Sequence, residues 1–430
     1  MLYHLVNYLE SIGADFPGMG LMNFLSFRAM AAAVTAVLVA MIAGKKIIGW
    51  LQLKQIGETV RDLGLEGQIQ KKGTPTMGGI IIILSIVCGV VLWCDLTNIY
   101  VILLLVSTLW CGALGFADDY IKVFKHNKEG MSEKGKLLGQ IVLGFVVGLT
   151  VWISPEIVVR EKVEVKESIE RTLETETTVT SGRYVQEDVV KSTKTTIPFV
   201  KNHEFDYRWL SPFKGVWGWY AKWAIYVLMI VLVITACSNG TNLTDGLDGL
   251  AAGTSALVGV VLGILAWLGG NLIDSNYLNI MYIPGSGEIA IFMSAFVGAL
   301  IGFLWYNSFP AQVFMGDTGS LTIGGVIGVS AVLMRKELLL PLLCGVFFVE
   351  SLSVLMQRFY FKFTKKKYGT GRRIWSMTPL HHHYQDKKAP EGPVLFPKPV
   401  PAQHEAKITI RFWIVGIILA VSTLALLKIR

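Results

Sequence analysis

Residues 239–250 read NGTNLTDGLDGL and lie between two apolar runs, so Asp245 and Asp248 stand at the mouth of a membrane-length segment. Four other polar clusters sit at the ends of apolar runs: KKGTPTMGG at 71–79, FADDY at 116–120, FMGDTGSL at 314–321 and MTPLHHHYQ at 377–385. Carboxylates beside lipid persist when they bind a cation, pair with a base or line a wet cavity. Asp118, Asp119, Asp245, Asp248 and Asp317 are hard oxygen donors suited to Mg²⁺, which takes one or two carboxylates and completes its shell with water and substrate phosphate. Lys71, Lys72, Lys122 and Lys134 lie beside them, and lysines mixed with such carboxylates suit a phosphate-rich substrate. His381, His382 and His383 add donors for a diphosphate, with at most two of the three facing one point.

Spacing refines this chemistry. Asp245 and Asp248 are i, i+3, which places both on one face of a helical turn. Asp118 and Asp119 are adjacent and cannot point the same way on a helix, so one is expected to enter the site while the other serves a neighbour. Gly73, Gly78, Gly79, Gly240, Gly246 and Gly249 permit tight turns and let backbone N–H groups approach anionic oxygens. Helix capping would account for one such Asp, but hardly for five at the ends of different apolar segments. Glu350, in FFVESLSV, is a further intramembrane carboxylate for which pairing with a neighbour such as Arg358 is the plainest role.

The elements that must position these residues are membrane spans. The 430 residues are 53% hydrophobic and 16% charged, with a mean hydropathy of +0.53, a balance that fits a polytopic membrane protein and not a soluble core. Spanning the hydrocarbon takes about 20 apolar residues in a helix, and the runs here are too long for barrel strands. Ten spans are predicted, at 27–48, 77–95, 98–116, 136–154, 218–238, 250–269, 287–306, 320–335, 338–357 and 410–427. The loops at 51–76, 117–135 and 358–409 are rich in Lys and Arg, whereas those near 95–98 and 269–288 have none, so the basic loops are expected to be cytoplasmic and both termini extracytoplasmic. That asymmetry also accounts for the net charge of +8 without a nucleic-acid partner. The five cysteines form no CxxC pair and read as buried thiols. The N-terminus lacks a basic n-region and cleavage site, so the first apolar segment is expected to be retained.

Two predicted spans separate each polar cluster from the next, which puts all five on one side of the membrane, where they can converge. The segment 155–214 breaks the pattern, being polar and long. Within it, VVREKVEVKE alternates with period two and TTVTSGRYV carries a Ser-Gly turn, so a small extracytoplasmic β-hairpin is expected, with a disordered loop as the alternative. Residues 384–405, with five prolines, read as an irregular loop. The expectation is one all-α polytopic domain over 1–430, interrupted by that insertion.

In this order, KKGTPTMGG, the Asp118–Asp119 pair, NLTDGLDGL, FMGDTGSL and MTPLHHHY resemble the polyprenyl-phosphate N-acetylhexosamine-1-phosphate transferases, from about residue 20 to the end except at 155–214 and 386–408. TPTMGG and PLHHHY favour the members that use a muramyl-pentapeptide nucleotide. The resemblance implies a ten-helix enzyme of the bacterial inner membrane, with its site on the cytoplasmic face. It would transfer phospho-MurNAc-pentapeptide from UDP-MurNAc-pentapeptide to undecaprenyl phosphate, with Mg²⁺, giving lipid I and UMP. It makes Asp118, Asp119, Asp317 and His381 the catalytic set, with Asp317 the Mg²⁺ ligand and Asp118 the candidate base for the lipid phosphate. Attack of the lipid phosphate on the nucleotide, or a covalent intermediate on an aspartate, are both compatible with it. Asn239, Asn242, Asp245, Gly246, Leu247 and Asp248 match its nucleoside-binding loop, with Phe314 placed to stack on uracil and Asn307 and Gln357 nearby. Lys71, Thr76, Lys122, Lys134, His381, His382 and His383 would surround the diphosphate. Membrane lipid is the surrounding partner, and a homodimer is a further expectation.

Rival readings account for less. A transferase using UDP-GlcNAc would share the aspartates and metal. Transporters tend to place coupling residues near the midplane of repeated halves, and this sequence has neither. An intramembrane aspartyl protease would leave the Asn, Lys and His residues without a purpose.

Overall fold

The computed structural model describes residues 1–13, 17–54, 73–125, 127, 129–160, 189–197, 204–278, 280–385, 393–397 and 401–427. The chain enters through α1 (Leu2–Ser11), α2 (Leu25–Leu53), α3 (Gly79–Trp93), α4 (Ile99–Phe124) and α5 (Glu133–Ile153). After the insertion come α6 (Gly215–Thr244), α7 (Leu250–Gly270), α8 (Leu272–Leu278), α9 (Gly287–Asn307) and α10 (Gly316–Leu333). The C-terminal part holds α11 (Leu340–Leu343), α12 (Gly345–Tyr368), α13 (Leu380–Gln385) and α14 (Glu405–Leu426).

Among the described residues eight helices are long and apolar enough to cross a membrane, namely α2, α4, α5, α6, α7, α9, α10 and α14. A ninth results if Glu337–Leu343 and Gly345–Tyr368, which meet at a 79° bend, form one span. The chain is thus a largely helical polytopic membrane protein. Each of the ten predicted segments falls on a helix, but length and composition stop short of ten spans. At 15 residues, α3 is only about 22 Å long, less than the hydrocarbon thickness.

At the centre is α10, which packs against α4, α6 and α3 and is buried from Thr318 to Leu333. Its hydropathy is the lowest of the spanning helices because neighbouring protein surrounds it in place of lipid. Lipid tails are as apolar as leucine, so small residues that admit close backbone contact hold such helices together. A Cβ at Gly324 of α10 would stand 2.3 Å from the Cys237 carbonyl oxygen of α6. One at Gly298 of α9 would stand 2.3 Å from that of Ala33 in α2. Four cysteines are buried and Cys88 is partly so, all as free thiols.

The insertion contributes two short antiparallel ribbons, β1 (Val159–Arg160) with β2 (Val189–Val190) and β3 (Lys194–Thr196) with β4 (Glu204–Asp206). The TTVTSGRYV turn and most of VVREKVEVKE lie outside the described residues. The second ribbon is held on the turn after α10: Thr196 N and Thr195 Oγ1 donate to the Arg335 carbonyl (2.9 and 3.0 Å), and Lys336 Nζ donates to Thr196 Oγ1 (2.6 Å). Tyr207 donates to Glu337 (3.1 Å), and burial, then the Glu337 carboxylate, pushes its phenol above the ordinary range so that it remains the donor. The proline-rich loop is more ordered than expected: β5 (Arg373–Trp375) pairs in parallel with β6 (Val394–Phe396). Gln357 of α12 organises it by accepting from Ile374 N (2.8 Å) and Trp375 N (3.2 Å).

Arg28 of α2 and Glu288 of α9 form a buried ion pair at 2.7 Å. Glu288→Ala strands the guanidinium and should cost about 3–5 kcal/mol of stability, whereas the double change Arg28→Met with Glu288→Leu should recover most of it. Thermal unfolding in detergent measures both; equal midpoints for wild type and Glu288→Ala would show that the pair contributes nothing.

Candidate active site at the α4–α10 crossing

The site begins with an absent side chain. A Cβ at Gly115 of α4 would lie 2.1 Å from the Asp317 carbonyl oxygen, and one at Gly79 of α3 would lie 2.1 Å from Gly319 N. Glycine at both positions lets three helices meet backbone to backbone at the start of α10. The TPTMGG segment is bonded along the residues just before α10. Phe314 N donates to the Pro75 carbonyl (2.8 Å), and Gly78 N and Gly79 N donate to those of Phe314 and Met315 (2.8 and 2.9 Å). Thr76 is therefore buried beside Gly316, and Phe314 is half-buried.

Three and four residues after Gly115, Asp118 and Asp119 diverge. Asp119 caps α10: its carboxylate accepts from Asp317 N (3.1 Å), Thr318 N (2.9 Å) and Thr318 Oγ1 (2.6 Å). Asp118, fully buried, accepts from Met131 N (2.6 Å) through Oδ1 and turns Oδ2 toward two lysines. Lys122 Nζ lies 2.6 Å from Asp118 Oδ2 and 3.1 Å from Asp317 Oδ2; Lys136 Nζ lies 2.9 and 2.6 Å from the same atoms. Two carboxylates and two ammonium groups thus form one closed cluster. Asn242, at the end of α6, completes it by donating to Asp317 Oδ1 (2.8 Å) and Ser320 Oγ (2.9 Å).

Asp118, Asp119 and Asp317 each offer an oxygen, the three lying within 4.8 Å of one another. Clustered carboxylate oxygens, with two of the three residues already facing cations, are a donor set that suits a divalent ion such as Mg²⁺.

The remaining predicted residues take varied places. Lys134 is exposed, while Lys136, which the motif reading passed over, reaches the carboxylates. Helical periodicity could have found it, because 136, 140, 143, 147 and 151 lie along one stripe of α5 and Gln140, Leu143, Val147 and Val151 are its buried residues. Lys71 lies outside the described residues. Asn239 pairs with Gln140, donating to Oε1 at 2.9 Å.

The expected helical face for Asp245 and Asp248 is corrected: α6 ends at Thr244 and α7 starts at Leu250, and 245–249 form a turn closed by Gly249 at φ +72°. Asp245 is half-buried at the end of α6. Leu247 packs with Leu250 and Ile408. Asp248, buried, accepts from Ala311 N (3.0 Å) and its own N–H donates to Glu405 (2.7 Å), so it ties loops together. Asn307 does likewise between Gly249 N (3.1 Å) and the Val313 carbonyl (2.9 Å), and Gln357 serves β5. His381 is fully buried against Gly246, with the His382 ring centroid 4.2 Å from its own. His383 turns away to accept from Ser376 N (3.3 Å). Glu350 faces His381 Nδ1 at 3.2 Å, not Arg358, because α13 folds back over α12.

Comparison with known proteins identifies the family. The description Glycosyl transferase family 4 matches residues 190–335, and phospho-N-acetylmuramoyl-pentapeptide-transferase signature 1 matches residues 71–83. The whole chain is 54% identical to the whole of a phospho-N-acetylmuramoyl-pentapeptide-transferase from Parabacteroides distasonis. It is 53% identical to that of Azobacteroides pseudotrichonymphae and 52% to that of Porphyromonas gingivalis, again over the full length of each. The chain belongs to the phospho-N-acetylmuramoyl-pentapeptide-transferases. In this transferase the signature segment is the one bonded along Phe314 and Met315, and residues 190–335 contain Asn242 and Asp317. Coverage of 155–214 and 386–408 by these full-length relatives means that the two segments are shared with them.

Two variants test the geometry of this transferase. Lys136→Met should lower turnover about 10²-fold, as loss of one preorganised charge partner does. Gly115→Val should separate α4 from α10 and abolish activity while the protein still inserts. Initial rates with quantified membrane protein decide both, and near-normal rates for Lys136→Met would place that lysine outside the reaction.

Proposed function

We propose that the chain transfers phospho-MurNAc-pentapeptide from UDP-MurNAc-pentapeptide to undecaprenyl phosphate, releasing UMP and forming lipid I, the first membrane step of peptidoglycan synthesis. The observation that carries this reading is the closed cluster of Asp118, Asp317, Lys122 and Lys136 at helix ends. Joining two phosphorylated partners requires cations for the developing and departing charge and a carboxylate for the proton, all held rigidly before the substrates arrive. When bound, Mg²⁺ supplies Lewis-acid polarisation of phosphoryl oxygens, and Asp317, backed by Asn242, would hold it.

The chain's own residues divide the remaining work. Lys122 and Lys136 are each shared between two carboxylates, so one can turn to a diphosphate oxygen while the other stays with Asp118 and Asp317. Asp118 is the base for the lipid phosphate, and Asp119 fixes the α10 terminus that carries Asp317. Asn239, Asn242, Asp245, Gly246, Leu247 and Asp248 form the nucleoside loop, with Phe314 stacking on uracil. Thr76, Lys134, His381 and His382 border the phosphates, and the motif assigns Lys71 to the same group. Residues 1–430 form one domain of ten spans in the bacterial inner membrane, with both termini and residues 155–214 extracytoplasmic and the site on the cytoplasmic face. The basic loops at the site's end of the bundle support that orientation.

Mixing purified protein with UDP-MurNAc-pentapeptide, undecaprenyl phosphate and Mg²⁺ should release UMP; a chelator should stop it, and UDP-GlcNAc should not substitute. Consumption of UDP-GlcNAc in preference would transfer the protein to the sister class. Asp317→Ala should abolish transfer without preventing insertion. Phe314→Ala should weaken nucleotide binding by about tenfold or more, as loss of a stacking aromatic does, with lipid binding little changed; an unaltered nucleotide affinity would remove the stacking role.

A further inference from the structure

One buried carboxylate near the site has no part in the charge cluster. Glu350 is fully buried in α12, six residues beyond the 79° bend. Both of its oxygens face one residue. The backbone N–H of His381 donates to Oε1 and Oε2 (3.2 and 3.4 Å), and His381 Nδ1 lies 3.2 Å from Oε2. A carboxylate removed from water is costly unless it is paired, and here the backbone N–H of His381 and the Nδ1 edge of its ring are what face it. These contacts hold the ring with its Nδ1 edge toward Glu350 and its Nε2 edge away from it.

Both ring nitrogens are buried without a hydrogen-bond partner among the described residues, and Nε2 is the one turned away from Glu350. It lies against Gly246, where a Cβ would come within 2.2 Å. Gly246 belongs to the turn following Asn242, which itself holds Asp317. A nitrogen oriented by a buried acid, left unpaired and touching the loop that adjoins the reacting cluster is poised for a ligand.

We propose that Glu350 is a positioning residue for the transfer reaction: it orients His381 so that Nε2 meets the phosphate groups of the nucleotide sugar as they enter beneath the Gly246 turn. The proposal rests on His381 belonging to the site. Glycine at 246 is required on the same grounds, because any side chain there displaces the ring.

A double-mutant cycle on turnover tests it, using purified full-length protein and UMP release at saturating substrates. Glu350→Gln should lower kcat about 10²-fold with KM for the nucleotide sugar changed less than about threefold, the pattern of an interaction made in the transition state. Combined with His381→Ala, it should cost nothing beyond His381→Ala alone, because residues acting through one another are non-additive. Losses that multiply, or Glu350→Gln activity above half of wild type, would overturn the proposal, as would a fully active His381→Ala. Gly246→Ala, which presses on Nε2 without touching Glu350, should reduce kcat similarly, and unchanged turnover there overturns it even if Glu350→Gln does not fold. The cycle is read relative to wild type on whichever sugar nucleotide the enzyme consumes. Loss of the muramyl-pentapeptide assignment and loss of the positioning role are therefore separate results.

Discussion

Two carboxylates and two ammonium groups at the mouth of a helical bundle form the interaction on which the rest of the structure depends. Asp118 is entirely buried, and a buried anion persists only if cations or N–H donors surround it. Lys122 from its own helix and Lys136 from the next supply the cations, and Asp317 shares both. Such a cluster can form only if α4, α5 and α10 approach closely. Closeness in turn requires that Gly115 and Gly79 present no side chain to the backbone of α10. Glycine at these two positions is therefore as necessary to the cluster as the charged residues are.

Around this cluster, several acidic and amide groups act by holding parts of the chain in place. Asp119 caps α10, Asp248 ties its turn to Ala311, Asn307 links Gly249 to Val313, and Gln357 anchors β5. Each is buried or half-buried, and each satisfies backbone donors at a point where the chain leaves regular structure, where an unpaired N–H would be costly. The residues of the charged cluster and the residues that hold the chain around it are of the same chemical types. Their partners, and not their identities, separate the two groups.

The helix α10 joins the two ends of the molecule. Its N-terminus carries Asp317 under the Asp119 cap, and beyond its C-terminus Arg335, Lys336 and Glu337 are buried beneath β3, β4 and Tyr207. Fixing both ends keeps Asp317 in register with Asp118. A site that must steady phosphates from two different partners benefits from this rigidity, because preorganised charges need not reorganise during transfer.

Membrane character and the convergence of the polar clusters from different helices were legible in the sequence. Hydrophobic run length and the number of runs between clusters depend only on order along the chain. Adjacency likewise required Asp118 and Asp119 to diverge, since neighbours on a helix point in different directions. Which of them faces the lysines was decided only by tertiary structure, as was the choice of Lys136 over Lys134, the pairing of Glu350 with His381 and the turn in place of a helix at 245–249. Those outcomes depend on how far each helix is rotated toward its neighbours. Rotation is set by backbone contacts at Gly79 and Gly115, between segments far apart in sequence, and no local pattern encodes it.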